Sequence, residues 1–186
     1  KDQWEKVGPA RDLPDTEIAR IRSAFAPMDF DTLVNRSDTF EAAKAADPAL
    51  ARFARNNLRE HKRPGYTIVE ISLKAIGETP GDATSEQMDA VADLAERYGH
   101  GDIRVTHEQN LVLPHVKLDD LAAVYAGLKA VGLATPNVNL ISDIIACPGL
   151  DYCALANARA IPIAQDIART FADQDRAELI GELKIK

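Results

Sequence analysis

At 186 residues with 46% hydrophobic side chains, the chain is long enough to bury a core for one domain or one and a half. Charged residues at 27% and aromatics at 5% are those of a soluble globular protein, and no apolar run approaches the roughly 18–20 residues of a membrane helix, so no membrane partner is expected. The formal net charge of −7 argues against a polyanion binder, and the lack of a signal-peptide pattern points to the cytoplasm. A start at Lys1-Asp2 instead of Met puts the natural N-terminus elsewhere.

Residues 1–62 carry 11 Lys/Arg and 11 Asp/Glu and read as helical pieces separated by turns. Asp15-Thr16 suits the cap of a helix bearing Ile18, Ile21 and Phe25, closed by Pro27. A second helical stretch starts near Asp38-Thr39, breaks at Asp47-Pro48 and carries Leu50, Phe53, Ala54 and Leu58. The basic residues Arg52, Arg55, Arg59, His61, Lys62 and Arg63 fall at the spacing of a solvated helix face running into a linker. Nucleic acid is therefore not an expected partner. Pro64-Gly65 is a sharp break.

Beyond that break the period changes. Tyr66 to Leu73 is rich in β-branched residues, with Val69, Ile71 and Leu73 on one face, and predicts a strand. Gly77 to Asp82 is a loop. Thr84-x-x-Gln87 has the form of a capping box for a helix striped by Met88, Val91, Ala92, Ala95 and Tyr98, which Gly99 ends. Ile103 to Thr106 predicts a short strand with Ile103 and Val105 inward and Arg104 and Thr106 outward, and Gln109 to Leu113 a second strand paired with it as a hairpin. Leu118, Leu121, Ala122, Tyr125 and Leu128 stripe a further helix stopped by Gly132. The order β-α-β-β-α is most of a ferredoxin-like unit, a split βαβ with helices on one face of an antiparallel sheet.

The last third opens on the apolar run Leu140 to Ala146, which ends at Cys147-Pro148-Gly149. Pro148 suits the first position of a helix bearing Ala154, Leu155, Ala158, Ile161, Ile167 and Phe171, with a kink at Pro162. Glu182 to Lys186 looks like the start of another strand. Residues 63–135 carry a net −5 and residues 136–186 a net −2.

Cys147 and Cys153 match no common zinc spacing, and a lone disulfide would be unusual in the cytosol. Iron–sulfur clusters take four thiolates, and a cysteine just before a helix lies in the positive end of its dipole, which favours the thiolate. The pair could supply half a cluster site, with ordinary buried thiols as the alternative. His61, His100, His107 and His115 show no metal spacing and read as structural or surface residues. Asp143 and Asp151 flank the cysteine corner and could cap its helix. No acid–base pair is recognisable.

Three stretches, in order, resemble the sulfite/nitrite reductase family, whose members use siroheme bridged to a 4Fe–4S cluster. Ile145 to Ala156 resembles the family's first cysteine pair. Gly101 to Leu111, with Arg104-x-Thr106-x-x-Gln109-Asn110, resembles the strand pair of its ferredoxin-like half domain. Lys62 to Tyr66 leading into Ser72-Leu73-Lys74 is similar to the start of that half domain. The resemblance covers residues 60–186 well and the first 60 loosely.

The resemblance implies an α+β fold: residues 1–62 as a helical segment and linker, residues 63–135 as a ferredoxin-like (split βαβ) half-repeat, and residues 136–186 as the incomplete start of the cluster- and siroheme-binding domain. It implies an oxidoreductase that reduces sulfite to sulfide or nitrite to ammonia by six electrons from a ferredoxin or flavoprotein. Carried over by position, Cys147 and Cys153 ligate the cluster. Gln109, with Arg104, Thr106 and Asn110, faces the siroheme, and Ala146 touches the macrocycle through its backbone. No residue is assigned a catalytic role. The chain lacks the family's second cysteine pair, so alone it is expected to bind neither cofactor stably, to be inactive and colourless, and to keep both thiols free. With the family's first half-repeat missing, an open sheet edge could also support a weak homodimer. The other readings are a precorrin-3B synthase, which resembles the same family, and a non-enzymatic ferredoxin-like binding module.

Overall fold

A computed structural model describes residues 13–26 and 28–186. The chain divides into two units, Lys1–Asp31 and Thr32–Lys186. In the first, helix α1 spans Asp15–Ala24. Pro14 precedes it without a side-chain cap bond, so Asp15 does not cap it; Asp15 and Glu17 instead occupy the first turn, where the helix dipole favours their charge. Phe25 is exposed, and Pro27, the expected stop, lies outside the described residues.

The second unit begins with helices α2 (Asp38–Ala46) and α3 (Pro48–Asn57), split where Asp47-Pro48 predicts. Ser37 caps α2 by accepting from the Phe40 N–H (3.1 Å), and Asp47 caps α3 by accepting from the Ala49 N–H (2.9 Å). The stretch after α3 is not a linker. Leu58–Glu60 forms strand β1, antiparallel to β2 (Tyr66–Ile71). The basic residues before it are not merely solvated either. Arg52 and Arg55 pair with Asp175 and Glu178, and Arg59 reaches Glu70 at 3.5 Å.

Helix α4 (Ser85–Tyr98) starts with the predicted capping box: Thr84 accepts from the Gln87 N–H at 3.2 Å, and Gln87 accepts from the Thr84 N–H at 3.0 Å. Gly99 ends it as expected, though not in the left-handed conformation. Gly99 keeps a φ of −119°, and the left-handed steps fall on His100 (57°) and Gly101 (70°). Strand β3 (Arg104–Val105) and strand β4 (Leu111–Lys117) follow, then a 3-10 turn at Leu118–Asp120 and helix α5 (Leu121–Ala130).

The sheet order is β1-β2-β4-β3, with every neighbour antiparallel. Strands β2 and β3 therefore run parallel with β4 between them, which is the split βαβ of the ferredoxin-like fold. Val69, Ile71, Leu113 and Val116 are fully buried against Phe53 of α3, Val91 and Ala95 of α4, and Val124 and Leu128 of α5.

Strand β4 runs past Leu113, where the sequence reading stopped it, and contains Pro114. Val69 pairs with Leu113 but Thr67 with Val116, so β4 carries one extra residue there. This bulge accommodates a proline inside a central strand and turns both Leu113 and Val116 to the core. Strand β3 corrects another expectation. Ile103 packs on the core, but Val105 is 76% exposed, because the strand is only two residues long on the sheet's outer edge.

No regular strand forms over 140–146. The segment turns instead, burying Leu140, Ile141, Ile144 and Ala146. The helix expected from Pro148 is also absent. Gly149–Asp151 is a single 3-10 turn, and irregular chain follows to Ala160. Gly149 is the cause. Its φ is +62°, and a Cβ there would meet the Ala158 carbonyl at 2.6 Å, so the chain folds back instead of winding on. Helix α6 begins at Ile161 and ends at Thr170, with Pro162 in its first turn instead of at a kink. Helix α7 (Gln174–Ile180) precedes a tail that is not a strand, although the Ile145 N–H donates to the Ile185 carbonyl (3.0 Å).

Candidate functional site

The hairpin turn between β3 and β4 and the cysteine corner meet through one residue. Gln109 adopts a φ of +60°, uncommon for a side chain with a Cβ. From there its amide donates to the Ala146 carbonyl at 3.0 Å and accepts from the Ala146 N–H at 3.1 Å. Gly81 lies on its other side, where a Cβ would approach Gln109 Cβ to 2.9 Å. The residue preceding Cys147 is thus gripped by the turn.

The turn itself is set from inside. Thr106 Oγ1 accepts from the N–H groups of Glu108 (3.2 Å) and Asn110 (3.3 Å). Asn110 is buried, accepts from the Leu73 N–H (3.1 Å) and donates to Asp143 Oδ1 (3.1 Å). Lys74 is 2% exposed, and its ammonium donates to Asn110 Oδ1 (2.7 Å), the Gln109 carbonyl (3.3 Å) and the Glu108 carbonyl, with Asp143 Oδ1 at 3.0 Å. Burial pulls Lys74 below the ordinary lysine range, and Asp143 opposes that pull. Sequence reasoning used Lys74 only as part of a motif and Asp143 only as a possible cap. The detectable signal was a lone lysine directly after an apolar strand.

Cys147 is exposed, Cys153 half-buried, and both are free. They sit on the loop, not at a helix N-terminus, so the dipole argument for their thiolates does not apply. The Cys153 N–H closes the turn onto the Gly149 carbonyl at 2.8 Å, and Asp151 pairs with Arg159 at 2.6 Å across the base of the loop. A cleft of about 320 Å³ lies beside the corner, lined in part by Gln109, Ala146, Pro148 and Tyr152. Arg104 stays outside, exposed and paired with Asp102 at 2.7 Å.

Thiols are the donors an iron–sulfur cluster takes, so Cys147 and Cys153 fit such a group in kind, but two thiols are half of the four it requires and neither lines the cleft. Among the described residues no group of three or more His, Cys, Asp or Glu side chains is arranged around a metal position. The fold does gather three of the four histidines, which the sequence did not suggest. His61 Nε2 and His115 Nδ1 are 3.0 Å apart, and the His100 and His115 rings meet edge-on at 6.3 Å. Burial chiefly, helped by His61 and Arg104, holds His115 below the ordinary imidazole range.

Residues 59–131 match the family described as the nitrite/sulfite reductase ferredoxin-like half domain. Over 118 residues the chain is 36% identical to sulfite reductase (ferredoxin) 2 of Mycolicibacterium paratuberculosis, covering 60% of this chain and 21% of that protein. Over 117 residues it is 32% identical to the chloroplastic ferredoxin–nitrite reductase of Betula pendula, covering 60% and 19%. The Mycobacterium tuberculosis NirA structure superposes with a TM-score of 0.52 at 27% identity, over 69% of this chain and 23% of that one. The chain thus spans about a fifth of the length of the curated relatives it matches.

Proposed function

We propose that this chain, whose residues 59–131 match the nitrite/sulfite reductase ferredoxin-like half domain, is the part of a sulfite or nitrite reductase that carries this half domain and half of a 4Fe–4S ligand set. The observation that carries the reading is the Gln109–Ala146 clamp, which ties the half domain to the cysteine corner. Cys147 and Cys153 are the proposed cluster ligands. Gln109, Thr106, Asn110, Arg104 and Ala146 are the proposed siroheme-facing group. Gln109 and Asn110 serve it by holding backbone in place, and Arg104 by its exposed guanidinium. Cys147 and Cys153 would hold a cluster that would carry electrons from a ferredoxin or flavoprotein donor, and Gln109, Thr106, Asn110, Arg104 and Ala146 would face the siroheme at which sulfite or nitrite would be reduced. Two thiolates are half of the set a 4Fe–4S cluster takes, so this reading requires two further ligands beyond Cys147 and Cys153.

The test is the protein made from its whole reading frame, purified without oxygen. Siroheme and cluster absorption, with sulfite- or nitrite-dependent oxidation of a reduced donor, is the expected result. Cys147→Ser and Cys153→Ser should each remove the cluster signal. A colourless protein, or cysteine variants that retain full iron, would overturn the reading.

A further inference from the structure

The buried Lys74 ammonium binds together three segments far apart in sequence. Two of its acceptors are main-chain carbonyls of the turn, Glu108 and Gln109; the third is the Asn110 side chain, and the fourth is Asp143, four residues before Cys147. An ammonium has only three N–H groups, so this cation has more acceptors than it can use at once. Asp143 is fixed in turn, since its Oδ2 accepts from the Asn139 N–H at 2.8 Å, and the Asn137 side chain donates to the Lys74 carbonyl at 3.1 Å. A buried ion pair adds little net stability over well-packed apolar residues, so what this one contributes is definition of geometry. The geometry it defines is unusual: Gln109, held through its carbonyl by Lys74, keeps a positive φ that such a residue would otherwise leave.

We propose that Lys74, with Asp143, is the positioning residue of the cysteine corner, fixing the 106–110 turn so that Gln109 grips Ala146 and sets the place of Cys147. The purpose of this arrangement rests on reading Cys147 as a ligand. The arrangement itself does not, and its test is independent of any bound cofactor.

The readout is amide exchange at Ala146, whose N–H donates to Gln109, compared with exchange at Leu113 in the core. Lys74→Met should speed exchange at Ala146 at least tenfold more than at Leu113, whereas Val91→Ala, a core control, should speed both alike. Gln109→Ala should reproduce the Ala146 effect, and adding Lys74→Met to it should produce no further selective gain. Asp143→Asn, nearly isosteric, gives the same reading should Lys74→Met not fold. Equal acceleration at the two amides in the Lys74 and Asp143 variants, or additive effects in the double variant, overturns the proposal. Loss of cluster binding in cysteine variants bears on the function alone.

Discussion

The side-chain amide of Gln109 and the backbone of Ala146 form a two-bond pair, 3.0 Å in one direction and 3.1 Å in the other, between segments 37 residues apart. A primary amide carries both a donor and an acceptor and so can make both bonds. Two opposed terms meet at this position, the hydrogen bonds and the positive φ. Gln109→Gly loses the bonds but relieves the backbone, whereas Gln109→Ala loses the bonds and keeps the strain. Urea denaturation should rank wild type above Gly and Gly above Ala, the last two separated by about 1 kcal/mol. Equal stability of the two variants would mean the turn carries no strain.

Gly149 governs the cysteine loop in the same manner. An alanine there would meet the Ala158 carbonyl at 2.6 Å and the Ala160 nitrogen at 2.9 Å with φ at +62°. Gly149→Ala should open residues 149–160 locally, at about 1–3 kcal/mol, while the sheet stays intact. Limited proteolysis should then cut within that loop, and Cys153, half-buried in the native chain, should alkylate faster. An unchanged Cys153 rate would contradict the argument.

Acid should act in two steps. His115 has its folded pKa lowered, chiefly by burial, so its neutral form is the native one. Its contribution is complete above the unfolded value of about 6.5 and is lost as pH falls from there towards the folded value. Glu108 is lowered mainly by its hydrogen bond from Lys184, at 2.7 Å. Its contribution is present above the unfolded carboxylate value of about 4.3 and lost as pH falls below it. Urea midpoints followed from pH 8 to about 2.5, below the unfolded carboxylate value of about 4.3, should decline in both windows. His115→Gln should flatten the upper decline, and Lys184→Met the lower one. A midpoint flat from pH 7 to 5 in the wild type would refute the histidine assignment.

Much of this was readable in advance where one local rule decides. The Asp47-Pro48 break, the Thr84–Gln87 box and the Val69/Ile71 face each follow from residues within a few positions of one another. The misses share a different origin. The loop after Pro148 has apolar residues at helical spacing, yet a close approach between Gly149 and Ala158, nine residues on, prevents the helix. Leu58–Glu60 is too short to show a period and becomes a strand because β2 has a free edge beside it. The four acceptors of Lys74 come from two segments more than 30 residues downstream, and no spacing rule links them.

The bulge in β4 makes the last prediction. In a regular strand Leu113 and Val116, three apart, would point to opposite faces, and a substitution at Val116 would be mild. Here the extra residue between the Val69 and Thr67 pairings turns both inward, and both are 0% exposed. Leu113→Ala should therefore cost about 2–5 kcal/mol and Val116→Ala somewhat less, about 1–3 kcal/mol, because fewer methyl groups are removed. Removing His115 altogether should not turn Val116 outward, since it leaves Leu113 and Val116 two apart, and regular alternation then keeps both on the core face with the Thr67–Val116 pairing intact. Chemical denaturation of the three variants checks this. A Val116→Ala cost within about 0.5 kcal/mol of zero, the ordinary value for a surface site, would show that the register is regular and the bulge absent.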